Sequence, residues 1–129
     1  ACHAAARITG PLLWRDMRSG DQVCRPEELG DVILGRKDCA ASYHIAVVVD
    51  DAAQGVTHVS RGEDLFPVTG IHRTLQALLG LPVPQWYHHR LVKDASGKRL
   101  AKRDRSLSLQ EMRAAGMRPE DVFRLMRES

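Results

Sequence analysis

The segment from Ser42 to Gly62, with the sequence SYHIAVVVDDAAQGVTHVSRG, decides how this chain folds. Three consecutive valines at positions 47–49 favour a strand, because β-branched side chains suit extended backbone. Apolar side chains also recur at helical spacing after Ser42, which is a residue that can cap a helix. The residues alone leave the strand and the helix open.

Short strands and one clear helix are predicted around this segment. Residues 31–36 favour a short buried strand, and residues 56–60 alternate apolar and polar side chains up to the sequence Arg61-Gly62-Glu63-Asp64. Pro67 begins a helix whose apolar residues recur at helical spacing, and Gly80 suits its left-handed cap. A third strand is predicted over residues 86–92, which a turn at residues 94–97 follows.

Helices are predicted at the C-terminal end. Ser108 and Glu111 have the spacing of a capping box, and Pro119 can begin a last helix that runs to Met126. The alternation of strands and helices predicts an α/β fold, with crossover helices on one sheet. No internal repeat or linker divides the sequence.

Composition narrows the class of protein. The chain has 129 residues, of which 27% are charged and 43% hydrophobic, as expected of one globular domain. It contains neither an apolar stretch of membrane-spanning length nor a signal-peptide pattern. The three cysteines form no close metal-ligand pair, so we expect free thiols, a reducing cytoplasmic environment and no metal site.

Two loops are the strongest candidates for a binding site. Arg61 follows a predicted strand and can contact a carboxylate through two hydrogen bonds, while residues 97–103, GKRLAKR, form a basic loop suited to polyphosphate. Ligands of open α/β sheets bind at the carboxyl ends of the strands, so both loops can converge on one ligand. Residues 90–129 carry 11 Lys/Arg and 6 Asp/Glu, against 8 and 10 in residues 1–89. Taken singly, a strand-end arginine is more often a surface ion pair and a Lys/Arg run is usually a solvated loop, so only the combination of the two loops favours a binding site.

Several sequence blocks resemble the catalytic domain of the class I glutamyl-tRNA synthetases. These blocks are SYHIAVVVDD at residues 42–51, QGVTHV at 54–59, RGEDL at 61–65 and GKRLAKR at 97–103. The last block resembles the second class I signature, usually Lys-Met-Ser-Lys-Ser or Lys-Leu-Ser-Lys-Arg. The resemblance runs from about residue 31 to residue 105 and implies a helix after Ser42. It also implies the second half of a Rossmann-like nucleotide-binding domain over residues 1–105, followed by a helical tail over residues 106–129.

The resemblance implies roles for particular residues. Tyr43 and Arg61 match residues that hold glutamate. Lys102 matches the catalytic signature lysine that steadies the ATP phosphates, with Mg²⁺ bound to the nucleotide. Leu91 and Val92 match backbone that contacts the adenine, and Asp64 lies near the nucleotide.

The chain also departs from the family pattern. Val47 replaces an asparagine that is usual in the full-length enzymes, and Ala101 replaces the signature serine. The first class I signature, His-Ile-Gly-His, is missing, so we expect the chain to be the C-terminal part of an enzyme, inactive alone, with an exposed apolar sheet edge and face. Zinc is expected only in the missing N-terminal part, of which Cys2 would be a remnant.

The short C-terminal region after Arg105 matches the short paralogues within the family, the glutamyl-queuosine tRNA(Asp) synthetases. Membership implies ATP-dependent activation of L-glutamate and its transfer to queuosine in the anticodon of tRNA(Asp), by a cytoplasmic monomer. Two alternatives are a fragment of a conventional glutamyl-tRNA synthetase and a non-catalytic tRNA-binding module. Adjacent His88 and His89 point to opposite faces of a strand, and a structural role is expected for them and for His44.

Overall fold

A computed structural model describes residues 2–38, 40–93 and 108–128. The chain divides into two compact units, Ala1–His89 and Arg90–Ser129. The predicted boundary between residues 105 and 106 lies outside the described residues. None of the helices in the described part of the chain has the length and apolar content that crossing a bilayer requires.

The first unit is built on a four-stranded sheet with the strand order β2-β1-β4-β3. Its strands are β1 (Leu12–Asp16), β2 (Gly20–Cys24), β3 (His58–Gly62) and β4 (Gln85–His89). β1 and β2 form an antiparallel hairpin, whereas β4 runs parallel to both β1 and β3. Helices α1 (Cys2–Thr9), α2 (Tyr43–Ala53) and α3 (Thr69–Leu79) complete the unit.

The connection from β3 through α3 to β4 is the predicted crossover. A helix between two parallel strands returns the chain to the same edge of the sheet, so the carboxyl ends of both strands lie side by side. α2 confirms the helix that the resemblance implies for residues 43–53. Ser42 takes the N-cap position, but its side chain makes no capping hydrogen bond.

One face of the sheet carries the apolar core of the first unit. Leu12, Trp14, Cys24 and Trp86 form the core, and the Trp14 and Trp86 rings meet edge to face with their centroids 5.6 Å apart. The opposite side chains of the hairpin, Leu13 and Val23, are exposed.

Three sequence predictions differ from the structure at strand positions. Residues 31–36 form no strand: the Leu34 carbonyl accepts a hydrogen bond from the Ser42 amide at 2.8 Å, so this segment meets a helix start instead of a neighbouring strand. β3 is shifted by two residues and includes Arg61. β4 ends at His89 and excludes Leu91 and Val92, because His89 pairs with Gly62, the last residue of β3.

The extent of α3 is close to the prediction, but Leu75 is the one leucine of its predicted apolar stripe that is buried. Gly80 adopts the left-handed conformation at the C-terminus with a φ of 64°, as expected. Leu78 and Leu79 are exposed, whereas the buried side chains are mostly polar and include Thr69, His72 and Gln76. Gly70 lies between them at a close approach, where an added Cβ would lie 2.9 Å from the Cys24 Sγ.

The second unit contains α4 (Leu109–Ala114) and α5 (Pro119–Glu128). The predicted capping box is present, since Ser108 Oγ accepts from the Glu111 amide at 3.2 Å and Glu111 accepts from the Ser108 amide at 2.7 Å. α5 confirms the last predicted helix. An apolar groove of about 370 Å³ lies within this unit, and its lining includes Met112, Val122, Phe123 and Met126.

Candidate functional site

A buried polar cluster lies at the carboxyl ends of β3 and β4 and is centred on Arg61. Only 9% of the Arg61 surface is exposed, which is unusual for a charged side chain. Its neighbours are Asp16 from the end of β1, Thr69 and His72 from α3, and His88 from β4. We call these five residues the strand-end cluster.

The Arg61 guanidinium donates to acceptors on three sides. Nε donates to His88 Nε2 at 3.1 Å, and Nη1 donates to His72 Nδ1 at 3.0 Å. Nη2 donates to Thr69 Oγ1 at 2.6 Å and to the Leu65 carbonyl at 3.4 Å. The planar guanidinium is therefore fixed in orientation before any ligand arrives.

The fixed guanidinium changes the expected contact with a carboxylate. The sequence predicts an Arg61 available at a strand end for two parallel hydrogen bonds. In the structure Nη2 already donates both of its N–H groups, to Thr69 Oγ1 and the Leu65 carbonyl, and Nε donates to His88, because Arg61 lies within β3 and faces α3. A two-point contact with a carboxylate thus requires one of these acceptors to be displaced.

Tyr43 lies beside Arg61 at the start of α2. Its side chain lies close enough to the Arg61 guanidinium to raise the pKa of Arg61, and its ring packs edge-on against His72 with the centroids 5.7 Å apart. Half of Tyr43 is exposed. The two residues that the resemblance assigns to glutamate are therefore neighbours, one buried and one open to solvent.

Tyr43 also lines a cavity of about 490 Å³. The other walls are the segment at residues 32–36 and the start of α2. Ser42 Oγ is buried here and, within the described residues, lacks a hydrogen-bond partner. Tyr43 thus borders a cavity that is large enough to hold a small ligand.

Charges around Arg61 keep it cationic despite its burial. Burial lowers the pKa of Arg61, and the side chains of Tyr43, Asp51 and Asp64 raise it. Asp64 lies in the short 3₁₀ turn Glu63–Leu65 directly after β3, and it is exposed. The cluster can therefore present a permanent positive charge to an anionic ligand.

His72, which accepts a hydrogen bond from Arg61, is held in its neutral form. Burial, followed by the charges of Arg61 and His44, lowers the pKa of His72 to about 3. Since Arg61 can only donate, His72 Nδ1 must accept, which leaves its Nε2 to donate to His44 Nδ1 at 3.1 Å. His44 therefore accepts a hydrogen bond from His72.

Asp16 contacts His88 on the side of the imidazole ring opposite Arg61. It is fully buried, and its Oδ2 lies 2.6 Å from His88 Nδ1. Burial raises the pKa of Asp16, but hydrogen bonds from His88 and from the Ser19 and Arg18 amides outweigh this effect and hold the pKa below its usual value.

Sequence reasoning missed Asp16, Thr69 and His72. Thr69 and His72 are three residues apart on one face of α3, which was a detectable polar stripe. Asp16 gave a weaker signal, as an acidic residue in a turn that ends at Gly20. His88 and His89 do point to opposite sides, because His88 is buried and His89 exposed.

The remaining predicted residues are Leu91, Val92, Lys102, Ala101 and Cys2. Leu91 and Val92 lie in the second unit and are half-buried. Lys102 and Ala101 lie outside the described residues. Cys2 donates its thiol to the Gly30 carbonyl at 2.6 Å, and burial raises its pKa, which opposes the thiolate form that zinc needs. Among residues 2–38, 40–93 and 108–128 there is no cluster of three metal-ligating side chains.

Comparisons with known proteins agree with the fold. The chain is 53% identical over 120 residues to the glutamyl-Q tRNA(Asp) synthetase of Rhodobacter capsulatus, covering 92% of this chain and 42% of the relative. It is 34% identical to glutamate–tRNA ligase 2 of Nitratiruptor sp., covering 94% of this chain and 26% of that enzyme. The chain therefore spans less than half the length of these relatives.

A solved structure shows the same fold. The crystal structure of a glutamate tRNA ligase from Elizabethkingia meningosepticum, in complex with its amino acid, matches with a TM-score of 0.63 and 31% identity. The match covers 74% of this chain and 19% of that one. The family described as tRNA synthetases class I (E and Q), catalytic domain, matches residues 4–128. The predicted fold class and resemblance are thus confirmed, and the chain belongs to this class I synthetase catalytic-domain family.

Proposed function

We propose that this chain supplies the second half of a catalytic domain that activates L-glutamate with ATP and transfers it to queuosine in the anticodon of tRNA(Asp). The observation that carries the proposal is the adjacency of Tyr43 and the buried cation Arg61, next to an open cavity. Relatives named glutamyl-Q tRNA(Asp) synthetase, 42–53% identical to this chain, favour this substrate over others.

Tyr43 and Arg61 are proposed to hold one carboxylate of glutamate. Arg61 supplies a buried, fixed positive charge. A hydrogen bond to a charged group is stronger in this buried environment than in water. The Tyr43 hydroxyl supplies a second donor on the open side. Both contacts fix the orientation of the amino acid, which places its other carboxylate for attack on the nucleotide.

Lys102 is proposed to act on the ATP. Attack of the glutamate carboxylate on the α-phosphate forms an acyl–phosphate bond and breaks the bond to pyrophosphate, so negative charge develops on the departing oxygens. A lysine at that position stabilises the transition state more than the bound substrate. Mg²⁺ bound to ATP supplies further neutralisation. Asp64, Leu91 and Val92 are proposed to contact the nucleotide.

The complete protein would work as a cytoplasmic monomer, with the basic C-terminal third facing the RNA phosphates. The alternative of a conventional glutamate–tRNA ligase is favoured by one observation, the 34% identity to such an enzyme from Nitratiruptor sp.. The two activities differ in their acceptor, because one esterifies the anticodon nucleoside and the other the 3′ end of the tRNA.

Glutamate-dependent ATP–pyrophosphate exchange by the complete protein that carries this chain tests the proposal. We expect exchange without added tRNA, and a loss of about two to three decades in rate for Lys102→Ala. Arg61→Lys keeps the charge but loses the planar donor group, so the KM for glutamate should rise. The matched control is Arg15→Lys, which changes an exposed arginine on β1.

Acceptor specificity is tested separately with labelled glutamate. Transfer to tRNA(Asp) that contains queuosine, and none to the same tRNA with guanosine at that position, supports the proposal. Labelling of the 3′ end would instead identify a conventional ligase. Absence of exchange and of transfer by the complete protein would leave a tRNA-binding module.

A further inference from the structure

We infer that Asp16 and His88 are positioning residues of the glutamate site: Asp16 fixes the tautomer of His88, and His88 holds the Arg61 guanidinium in the orientation that meets the substrate carboxylate. The inference rests on the proposed function, because it assigns Arg61 to glutamate. It adds two residues, from β1 and β4, to a site that the resemblance places on α2 and β3.

The hydrogen bonds form one connected path. His88 Nδ1 lies 2.6 Å from Asp16 Oδ2, and His88 Nε2 accepts from Arg61 Nε at 3.1 Å. The His88 amide also donates to Asp16 Oδ2 at 3.3 Å. Asp16 and His88 are 0% and 2% exposed, so water does not compete for these contacts.

The direction of each hydrogen bond follows from the chemistry of arginine. A guanidinium has five N–H donors and no acceptor, so the His88 Nε2 that it contacts must carry a lone pair. The ring proton therefore resides on Nδ1 and is donated to the Asp16 carboxylate. One tautomer of His88 satisfies both Asp16 and Arg61, and the carboxylate selects it. Thr69 Oγ1 also lies 3.2 Å from His88 Nε2.

Asp16 is itself fixed, which makes it a suitable reference point. Its Oδ1 accepts from the Ser19 amide at 2.7 Å and from the Arg18 amide at 3.0 Å, within the turn between β1 and β2. The path thus ties the orientation of Arg61 to the backbone of a hairpin. It also places a buried negative charge one imidazole ring away from a buried positive charge, so that neither is left uncompensated.

A purely structural role makes a different prediction. If the pair only stabilises the fold, its loss lowers stability and leaves the affinity of the folded protein for glutamate unchanged. If the pair positions Arg61, affinity for glutamate falls even in the fraction that folds. Affinity and stability must therefore be measured on the same variants.

Asp16→Asn reverses the tautomer with little change in shape. The amide oxygen can still accept from the turn, but the NH₂ group faces His88 Nδ1 and needs an acceptor there. The His88 proton then moves to Nε2, where it opposes the Arg61 Nε–H. We expect the Kd for L-glutamate, measured by calorimetry on the complete protein, to rise about 10- to 100-fold, the range of one charge-assisted hydrogen bond.

Two variants of His88 provide a second test, which applies even if Asp16→Asn does not fold. In His88→Gln the side-chain amide reaches the position of Nε2 and can present its oxygen to Arg61, whereas in His88→Asn the amide reaches only the position of Nδ1. We expect glutamate affinity in the order wild type, His88→Gln, His88→Asn, with about tenfold between the last two. Asp21→Asn and His89→Gln are the controls, because both side chains are exposed.

The KM for glutamate in the exchange assay should rise with the Kd, while the KM for ATP stays constant. Equal glutamate affinity in wild type, Asp16→Asn and both His88 variants, with a loss in Arg61→Lys, would overturn the positioning role and leave the proposed function intact. No glutamate binding by the wild type would instead overturn the proposed function. Nitrogen-15 spectra of His88 supply a direct readout, since the wild type must show the Nδ1–H tautomer.

Discussion

The strand-end cluster and the pair of helices α4 and α5 are stabilised in opposite ways. In the cluster, contacts join residues far apart in sequence: Asp16 and His88 are separated by 72 residues, and Arg61 and His88 by 27. In the helical pair, the described polar contacts join residues three apart, such as Ser108 with Glu111 and Arg118 with Asp121. The first region buries its polar groups, and the second exposes apolar ones, with Phe123 59% exposed.

This difference indicates where single substitutions matter. A buried polar group that loses its partner retains the full cost of desolvation, whereas an exposed helix cap loses one local hydrogen bond to which water offers a substitute. The strand-end cluster should therefore respond strongly to loss of one partner and to pH. The helical pair should respond weakly and locally.

The largest effect is expected from Asp16→Ala. This change leaves His88 Nδ1–H and two turn amides without their buried acceptor, and each buried donor left unsatisfied costs about 1–3 kcal/mol. Urea denaturation of the complete protein measures the change in the free energy of unfolding. Asp21→Ala, which removes an exposed partner of Arg15, should cost about 0–1 kcal/mol. Equal losses in the two variants would show that the cluster is not the more sensitive region.

An intermediate effect is expected from pH acting on His72. Its pKa in the folded state is about 3, below the ordinary value of 6.5, so the unfolded chain binds the proton more readily. The contribution of His72 is therefore complete above pH 6.5 and is lost on acidification towards pH 3, by up to about 1.4 kcal/mol per pH unit.

Denaturation midpoints measured between pH 7 and pH 4 test this dependence. His72→Gln cannot be protonated, so its stability should fall less steeply than that of the wild type over this interval. His3→Gln is the matched control, because His3 is exposed on α1. A slope in His72→Gln equal to that of the wild type contradicts the prediction.

The smallest effect is expected from Ser108→Ala in the helical pair. Loss of an N-cap side chain costs about 1 kcal/mol, which corresponds to roughly fivefold faster hydrogen exchange of the amides in the first turn of α4. Gln110→Ala lies on the same helix without a capping role and should leave exchange nearly unchanged. Hydrogen-exchange protection of the amides in the strand-end cluster should be the same in both variants. A change in that protection would contradict the local character of the helical pair.

Much of the secondary structure could be predicted because local physics decides it. The capping box, the left-handed Gly80 and the helix around residues 69–79 depend on contacts within one or two turns. The prediction of a strand at residues 31–36 was wrong because a strand depends on contacts that are not local. Three apolar residues in a row permit a strand, but a strand also needs a neighbour, and here the backbone meets the start of α2.

The candidate site was only partly predictable. Tyr43 and Arg61 were identified by resemblance, and the structure places them side by side. Their environment was not identified, because the apolar spacing of α3 predicted a buried stripe that includes Leu78 and Leu79. Those residues are exposed, while Thr69 and His72 face inward and meet the guanidinium. Burial of these polar side chains is favourable only because Arg61 lies opposite them.

The sequence by itself determined the family, the capped ends of α3 and α4 and the β3–α3–β4 crossover, since these depend on motifs and on interactions between residues close along the chain. Only the tertiary structure decided which face of α3 is buried, that β1 and β2 form a hairpin, and that Asp16 reaches Arg61 through His88. The physical reason is that desolvation of a charge is compensated by partners in space. Those partners come from β1, β4 and α3, at sequence distances where no local pattern carries information.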